Sequence, residues 1–164
     1  MKISFITFGG REIGTGHLFR CLAIADWMRQ LKLNIEISFH LYDSGFEEQN
    51  KALEILQSRS NYSCSIQNKN SIKVMNFDTV VLDLLDVPID LMEFVKKKSN
   101  FIVSIDNVSN SRELSNIAIN PLYYKINKNK INHDYIGPKF QIISQKFFNK
   151  KSNWNNKVEK ILII

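Results

Sequence analysis

Short apolar segments alternate with longer amphipathic segments along the chain. Residues 2–8 and 78–85 are short runs of mostly aliphatic, aromatic or β-branched side chains, which are typical of buried strands. Between them, apolar residues recur at helical spacing from Leu18 to Met28 and predict a helix over residues 16–31. Strands that alternate with helices form right-handed βαβ units. The pattern therefore predicts an α/β protein with a parallel sheet flanked by helices.

Weaker patterns complete the prediction. Residues 33–41 alternate as a half-exposed strand does, and a capping box at residues 44–47 precedes a second helix that ends near Ser58. Pro88 suits the first turn of a helix that ends near Lys98. The remaining predictions are strands at 62–66, 101–105, 117–120, 140–143 and 158–164, and a turn at 135–138.

The glycines are concentrated in one loop. Four of the six lie between the first strand and the first helix: Gly9, Gly10, Gly14 and Gly16. Glycine is used where backbone takes positive φ or approaches a ligand, so residues 8–20 are interpreted as a binding loop at a helix N-terminus. A P-loop is excluded because Thr15 stands where its lysine belongs. The dinucleotide fingerprint is disfavoured because its third small residue falls on Phe19.

His17 and Arg20 lie one turn apart at the start of the predicted helix. The positive end of the helix dipole disfavours imidazolium, so His17 is interpreted as a neutral general base; the alternative is that it only packs under the loop. Arg20, expected at the solvent-exposed side, either holds an anionic group of the ligand or pairs with an acid such as Glu12. The predicted ligand contacts of this loop are Gly14, Thr15, Gly16 and Arg20.

Acidic and amide side chains follow two predicted strands. Asp83 comes at the end of the strand at 78–85, and Asp106 and Asn107 follow the strand at 101–105. The carboxyl ends of parallel strands meet at one edge of the sheet, beside the glycine loop. Asp83 is therefore predicted as a catalytic partner of His17, and Asp106 and Asn107 as substrate-binding residues. The alternative is that these side chains form turns or cap helices.

Composition narrows the class of protein. The net charge is +6, with lysines concentrated between Lys125 and Lys160, but no basic-aromatic stripe accompanies them, so nucleic acid is not an expected partner. Cys21 and Cys64 are expected to be reduced, and no histidines and carboxylates have metal-ligand spacing. No apolar run is long enough to cross a membrane and no signal peptide is evident, so a cytoplasmic location is expected.

The segment at 13–25, with its Gly-x-Gly-His-x-x-Arg core at Gly14 to Arg20, resembles a known family. It is similar to the N-terminal domain of the nucleotide-sugar hydrolases of pseudaminic acid biosynthesis and the related spore-coat polysaccharide proteins. These are MurG-like enzymes of the glycosyltransferase-B superfamily. The similarity continues, in order, through residues 81–83, 104–106, 119–121 and 135–140.

The resemblance implies the N-terminal half of a glycosyltransferase-B fold, in which two Rossmann-like domains face each other and the C-terminal one holds most of UDP. Residues 1–157 would then form the N-terminal domain, and residues 158–164 the start of a truncated C-terminal domain. The implied reaction releases UDP from a 2,4-diacetamido-trideoxy sugar without a metal or cofactor, with His17 as the base for water. The chain departs from the family at Ser144, where an arginine is common.

Two other functions stay open. A glycosyltransferase would use the same histidine to deprotonate a lipid or glycan acceptor, and only in that case is contact with a membrane surface expected. A non-catalytic nucleotide-sugar-binding domain is the third possibility. For the enzyme, the expected partners are a UDP-sugar and a C-terminal domain of the same enzyme, without which this half of the site is expected to be close to inactive.

Overall fold

A seven-stranded parallel sheet forms the centre of the computed structural model, which describes residues 1–9, 14–42, 49–59, 62–72, 76–122 and 133–144. The strands are β1 (Lys2–Thr7), β2 (Glu36–Tyr42), β3 (Ser63–Gln67), β4 (Phe77–Asp83), β5 (Ser99–Ile105), β6 (Ile117–Asn120) and β7 (Asp134–Ile136). Their order is β3-β2-β1-β4-β5-β6-β7, and every neighbouring pair is parallel. The fold is therefore an α/β Rossmann-like arrangement, as the alternating pattern predicts.

The helices are α1 (Gly16–Gln30), α2 (Gln49–Arg59), α3 (Lys69–Ile72) and α4 (Ile89–Lys98), with 3-10 helices at Asn110–Leu114 and Pro138–Phe140. They divide the core into two hydrophobic clusters. In one cluster, residues of α1 and α2 such as Leu18 and Leu56 pack on Phe5 and Phe39, whose stacked ring centroids are 4.9 Å apart. In the other, residues of α4 such as Met92 pack with Ile6, Leu82 and Ile102. Both faces of the sheet centre are thus covered, as a parallel sheet requires.

Several predicted elements differ from the structure. The second face of strand β2 is more covered than a half-exposed strand predicts, because His40 is buried and Ser38 is partly buried. The turn predicted at 135–138 is instead the end of β7 followed by a 3-10 helix, since Asp134–Ile136 pairs with β6. The strand predicted at 140–143 is wrong: this segment pairs with no described strand, and Ile142 packs on the first hydrophobic cluster.

The strand predicted at 158–164, the domain boundary at 157 and the capping box at 44–47 lie outside the described residues. Helix α3 was not predicted, because a single turn is too short to show helical periodicity. No helix in the described parts of the chain combines the length and the apolar character needed to span a bilayer.

His40 is a buried polar residue on β2, remote in sequence from the glycine loop. Its Nε2 lies 3.1 Å from Ser38 Oγ and its Nδ1 lies 3.1 Å from Ser65 Oγ. Burial lowers the pKa of His40 below its ordinary value, because the charged ring loses solvation. The folded chain therefore holds this ring neutral at pH values where the unfolded chain already binds a proton.

We predict that acid weakens the fold through His40. The unfolded state binds the extra proton as the pH falls below the ordinary value of 6.5, so the contribution of His40 to the free energy of unfolding is full above that pH and is lost below it. Urea unfolding of the wild type and of His40→Gln, at several pH values between about 7.5 and 5, measures this contribution. The stability of wild type relative to the variant should decrease with acid; a difference that is constant with pH would contradict the assignment.

Candidate active site

The candidate site lies where the connections of the sheet diverge. Strands β1 and β4 are neighbours, and the chain leaves β1 towards β2 on one side and β4 towards β5 on the other. The loop after β1 and the carboxyl ends of β4 and β5 therefore border one crevice, the usual place for a ligand in this class of fold. Helix α1 begins at Gly16 on this edge and carries His17 and Arg20 on its first turn.

The described glycines of the loop serve different purposes. Gly14 has φ +81°, a conformation that residues with a side chain rarely adopt. At Gly9, an added Cβ would lie 3.4 Å from Ala52 Cβ and from Leu18 Cβ, which is an ordinary van der Waals distance. The described surroundings of Gly9 therefore do not require glycine, whereas the backbone conformation at Gly14 favours it. Gly10 and Glu12 lie outside the described residues.

Thr15 and Gly16 form the start of helix α1. The carbonyl of Thr15 accepts a hydrogen bond of 3.0 Å from the amide of Phe19, and the side chain of Thr15 makes no capping bond. Gly16 is exposed and borders a cavity. The structure thus brings both residues to the predicted edge, and their contact with a ligand stays a prediction.

His17 is paired with Asp83, the residue that ends β4. The distance from His17 Nδ1 to Asp83 Oδ1 is 2.6 Å, and Asp83 has no exposure to solvent. Because a carboxylate only accepts hydrogen bonds, this contact favours the tautomer of His17 that carries its proton on Nδ1. The other ring nitrogen, Nε2, has no hydrogen-bond partner among the described residues. The ring also packs on Phe8, with centroids 4.6 Å apart, so packing and pairing with Asp83 occur together.

Arg20 is directed inward, contrary to the expectation that it faces solvent. Its Nε donates to Asp83 Oδ2 at 2.7 Å and its Nη2 donates to Asp83 Oδ1 at 2.5 Å, which is a bidentate pair. Both Nη atoms also lie 3.3 Å from Asp106 Oδ2. Burial alone would lower the pKa of Arg20, but the hydrogen bond and charge of Asp83, with the charge of Asp106, raise it above its ordinary value.

Asp106 directly follows β5 and has φ +57°, in the left-handed region that Asp tolerates better than most residues. Its amide donates to the carbonyl of Ile119 at 2.8 Å, so the backbone is held to β6 while the carboxylate turns towards Arg20. These contacts agree with the prediction that Asp83 and Asp106, at the ends of two strands, lie at the same edge of the sheet. The prediction did not include the arginine that joins them.

Asn107 is buried in the loop that follows β5. It is 1% exposed, and its Oδ1 accepts hydrogen bonds from Ser109 N at 3.1 Å and Ser109 Oγ at 2.8 Å. Its Nδ2 donates to Ser111 Oγ at 3.1 Å. The observed contacts of Asn107 thus shape the loop after β5, which agrees with the alternative of a turn-forming residue; direct binding of substrate stays an untested prediction.

The two cysteines are unpaired with one another. Cys21 is buried beside the site, where its thiol donates to Asp83 Oδ2 at 3.5 Å. Burial and the neighbouring charge of Asp83 raise the pKa of Cys21, so the thiol is a weak donor and a poor nucleophile. No group of three or more histidine, cysteine or acidic side chains within the described ranges is arranged to hold a metal ion.

A cavity of about 470 Å³ opens beside this cluster. Its walls come from the first turns of α1, from Asp106 and from the segment at 141–144. Trp27 Nε1 donates to the carbonyl of Ile143 at 3.4 Å, and this bond joins the segment to α1. The volume is within the range usual for sites of small molecules.

Sequence reasoning placed only part of the cavity wall. The wall residues are Gly16, His17, Phe19, Arg20, Ala23, Asp106 and the four residues 141–144. The last four were not predicted to line a site, although Ser144 is the position at which the chain departs from the family it resembles. The mostly apolar residues at 140–143 predict a strand, so no local pattern identifies this segment as a wall of the cavity.

A comparison with known proteins identifies a relative whose name assigns no function. The chain is similar to the uncharacterized protein MJ1062 of Methanocaldococcus jannaschii, with 28% identity over 178 aligned positions. The match covers 100% of this chain and spans 36% of the relative's length. No family model matches the chain, and no solved structure matches it. The function is therefore argued from the site and from the resemblance of its motif.

We predict opposite effects of alanine at two glycines of the loop. Gly14→Ala should lower the free energy of unfolding by about 1–2 kcal/mol, because φ +81° is strained for alanine. Gly16→Ala should leave stability unchanged or raise it by up to about 1 kcal/mol, because Gly16 is helical and its added Cβ would meet no described atom within 4 Å. Urea unfolding of both variants measures the difference. Equal destabilisation by both would contradict the conformational explanation for Gly14.

Proposed function

We propose that this chain carries the general-base half of a nucleotide-sugar hydrolase, with His17 as the base. The observation that carries the proposal is the contact of His17 Nδ1 with Asp83 Oδ1 at 2.6 Å, in a residue that also lines a cavity. A histidine whose Nδ1 is bound to a buried carboxylate presents Nε2 as the proton acceptor. Asp83 is fully buried, so it acts through His17 and is a positioning residue.

In the proposed reaction, His17 Nε2 removes a proton from water while the water oxygen bonds to the anomeric carbon of the sugar. The bond from that carbon to the diphosphate oxygen breaks, and UDP leaves with the electron pair. His17 becomes an imidazolium ion next to Asp83, which stabilises the charge. In keeping with the family that the motif resembles, the reaction is expected to need no metal or cofactor.

The choice of a nucleotide sugar as substrate rests on the Gly-x-Gly-His-x-x-Arg resemblance and is supported by the Rossmann-like sheet. The same resemblance assigns most of the UDP contacts to a second domain. The complete enzyme would then have a glycosyltransferase-B fold of two domains, of which this chain supplies the N-terminal one. Because the chain spans 36% of the length of its relative, the proposed activity is that of the whole protein.

A glycosyltransferase is the second candidate. Phe19 and Ile143 line the cavity and are 37% and 44% exposed, so part of the wall near His17 is apolar and accessible. An amphiphilic acceptor could use this wall, and His17 would then deprotonate an acceptor hydroxyl instead of water. The sugar, the leaving group and the role of the base stay the same, so an assay with and without acceptor separates the two reactions.

We predict that His17→Gln lowers UDP release by roughly 100- to 10,000-fold, because glutamine cannot take up the proton. The assay uses the protein expressed from its complete reading frame and a UDP-2,4-diacetamido-trideoxy sugar, and coupled detection of UDP gives the rate. His133→Gln is the matched control. The exposed residue His133 directly precedes β7, and its backbone carbonyl, which the substitution keeps, accepts a hydrogen bond from the amide of Ala118.

Hydrolysis is supported if the wild type and His133→Gln release UDP in water and His17→Gln does not. The unfolding midpoint of His17→Gln should equal that of the wild type. Release that requires a lipid or glycan acceptor supports the transferase. Full activity of His17→Gln would contradict the assignment of the base. Binding of the UDP-sugar without any release would favour a non-catalytic binding domain and overturn the proposal.

A further inference from the structure

We propose that Arg20 is a positioning residue of the base and not a ligand-binding group, and that Asp106 offsets its charge. This inference rests on the proposed function, because it assigns roles around His17 as the base. The contacts of Arg20 carry it: the guanidinium fork covers both oxygens of Asp83, and the same guanidinium reaches Asp106.

The bidentate contact fixes the plane of the Asp83 carboxylate. A carboxyl group held by one donor can rotate about its last bond, whereas donors at 2.7 Å and 2.5 Å on its two oxygens hold it in one orientation. In that orientation Oδ1 is directed at His17 Nδ1 at 2.6 Å. Arg20 therefore determines the ring orientation and tautomer of His17 through Asp83, without touching the reacting atoms.

The charges of the cluster explain why a second carboxylate is present. With neutral His17, the charges of Arg20, Asp83 and Asp106 sum to minus one, and uptake of a proton by His17 brings the cluster to neutrality. Without Asp106, the same proton would leave a net positive charge in a site where the His17 and Arg20 side chains are each 13% exposed. Asp106 thus compensates for Arg20 when His17 becomes charged.

The same charges argue against Arg20 as an anchor for phosphate. Its Nη2 lies 3.0 Å from His17 Nδ1 and donates to the carboxylates of Asp83 and Asp106. A phosphate bound to this guanidinium would therefore either displace one of these carboxylates or lie next to both of them. Like charges at this separation repel strongly where water is scarce. An anionic part of the ligand is therefore expected to bind away from Asp83 and Asp106.

The test uses Arg20→Lys and Arg20→Gln in the chain expressed from its complete reading frame. Lysine cannot bind both oxygens of Asp83 at once, but it keeps a positive charge beside this buried carboxylate, and this charge helps to preserve the fold. The first readout needs no substrate: the proton on His17 Nδ1 is observed by NMR with histidine-labelled protein. The second readout is the pair of constants kcat and KM for UDP release. Arg29→Gln is the matched control, because Arg29 lies on the same helix and stacks on Tyr62 at 4.3 Å.

We expect the downfield Nδ1 proton of His17 to be lost or shifted upfield in both Arg20 variants and unchanged in Arg29→Gln. We also expect kcat to fall at least about tenfold with KM changed less than about twofold. Asp106→Asn should lower kcat in the same manner while the Nδ1 proton remains. An unchanged Nδ1 signal together with a raised KM and an unchanged kcat would show that Arg20 binds ligand, and would overturn the inference. If wild type releases no UDP, the proposed function fails, and the NMR readout alone decides the role of Arg20.

Discussion

The carboxylate of Asp83 has no exposure to solvent, and an ionised group in such a place is tolerated only with strong donors around it. Among the described residues, its donors all lie on α1: the imidazole of His17, the guanidinium of Arg20 and the thiol of Cys21. Their spacing requires the first turn and a half of α1 to lie over the end of β4. The short path from β1 to that position passes through Gly14 at positive φ. The contacts of one buried carboxylate thus join the start of α1 to the end of β4.

Much of the sheet could be predicted from the sequence because buried parallel strands are short, continuous apolar runs. The runs that became β1, β4 and β6 are of this kind, and parallel strand ends meet at one edge, which brings Asp83 and Asp106 together. Strand β7 and the segment at 141–144 were not recognised. Three residues are too few for a period, and the position of 141–144 depends on Trp27 and the first hydrophobic cluster, which are distant in sequence.

Arg20 shows the limit of reasoning from one helix. On the sequence alone, its place three residues after His17 was compatible with a ligand contact or a surface ion pair. Its partners lie 63 and 86 residues away along the chain, on strands whose neighbours only the three-dimensional fold reveals. The residue type predicted an anion as partner, and the fold supplies two of them from the protein itself. In the site, Arg20 is therefore paired with two carboxylates of the protein itself, and His17 Nε2 has no hydrogen-bond partner among the described residues.

In the proposed function, Asp83 holds the proton of His17 on Nδ1, so that Nε2 is free to act as the base. Neutron diffraction from crystals of the deuterated protein at about pH 8, above the ordinary titration of histidine, observes this directly. We expect a deuterium on Nδ1 directed at Asp83 Oδ1, and none on Nε2. A deuterium on Nε2, with Arg20 Nη2 donating to a bare Nδ1, would contradict it.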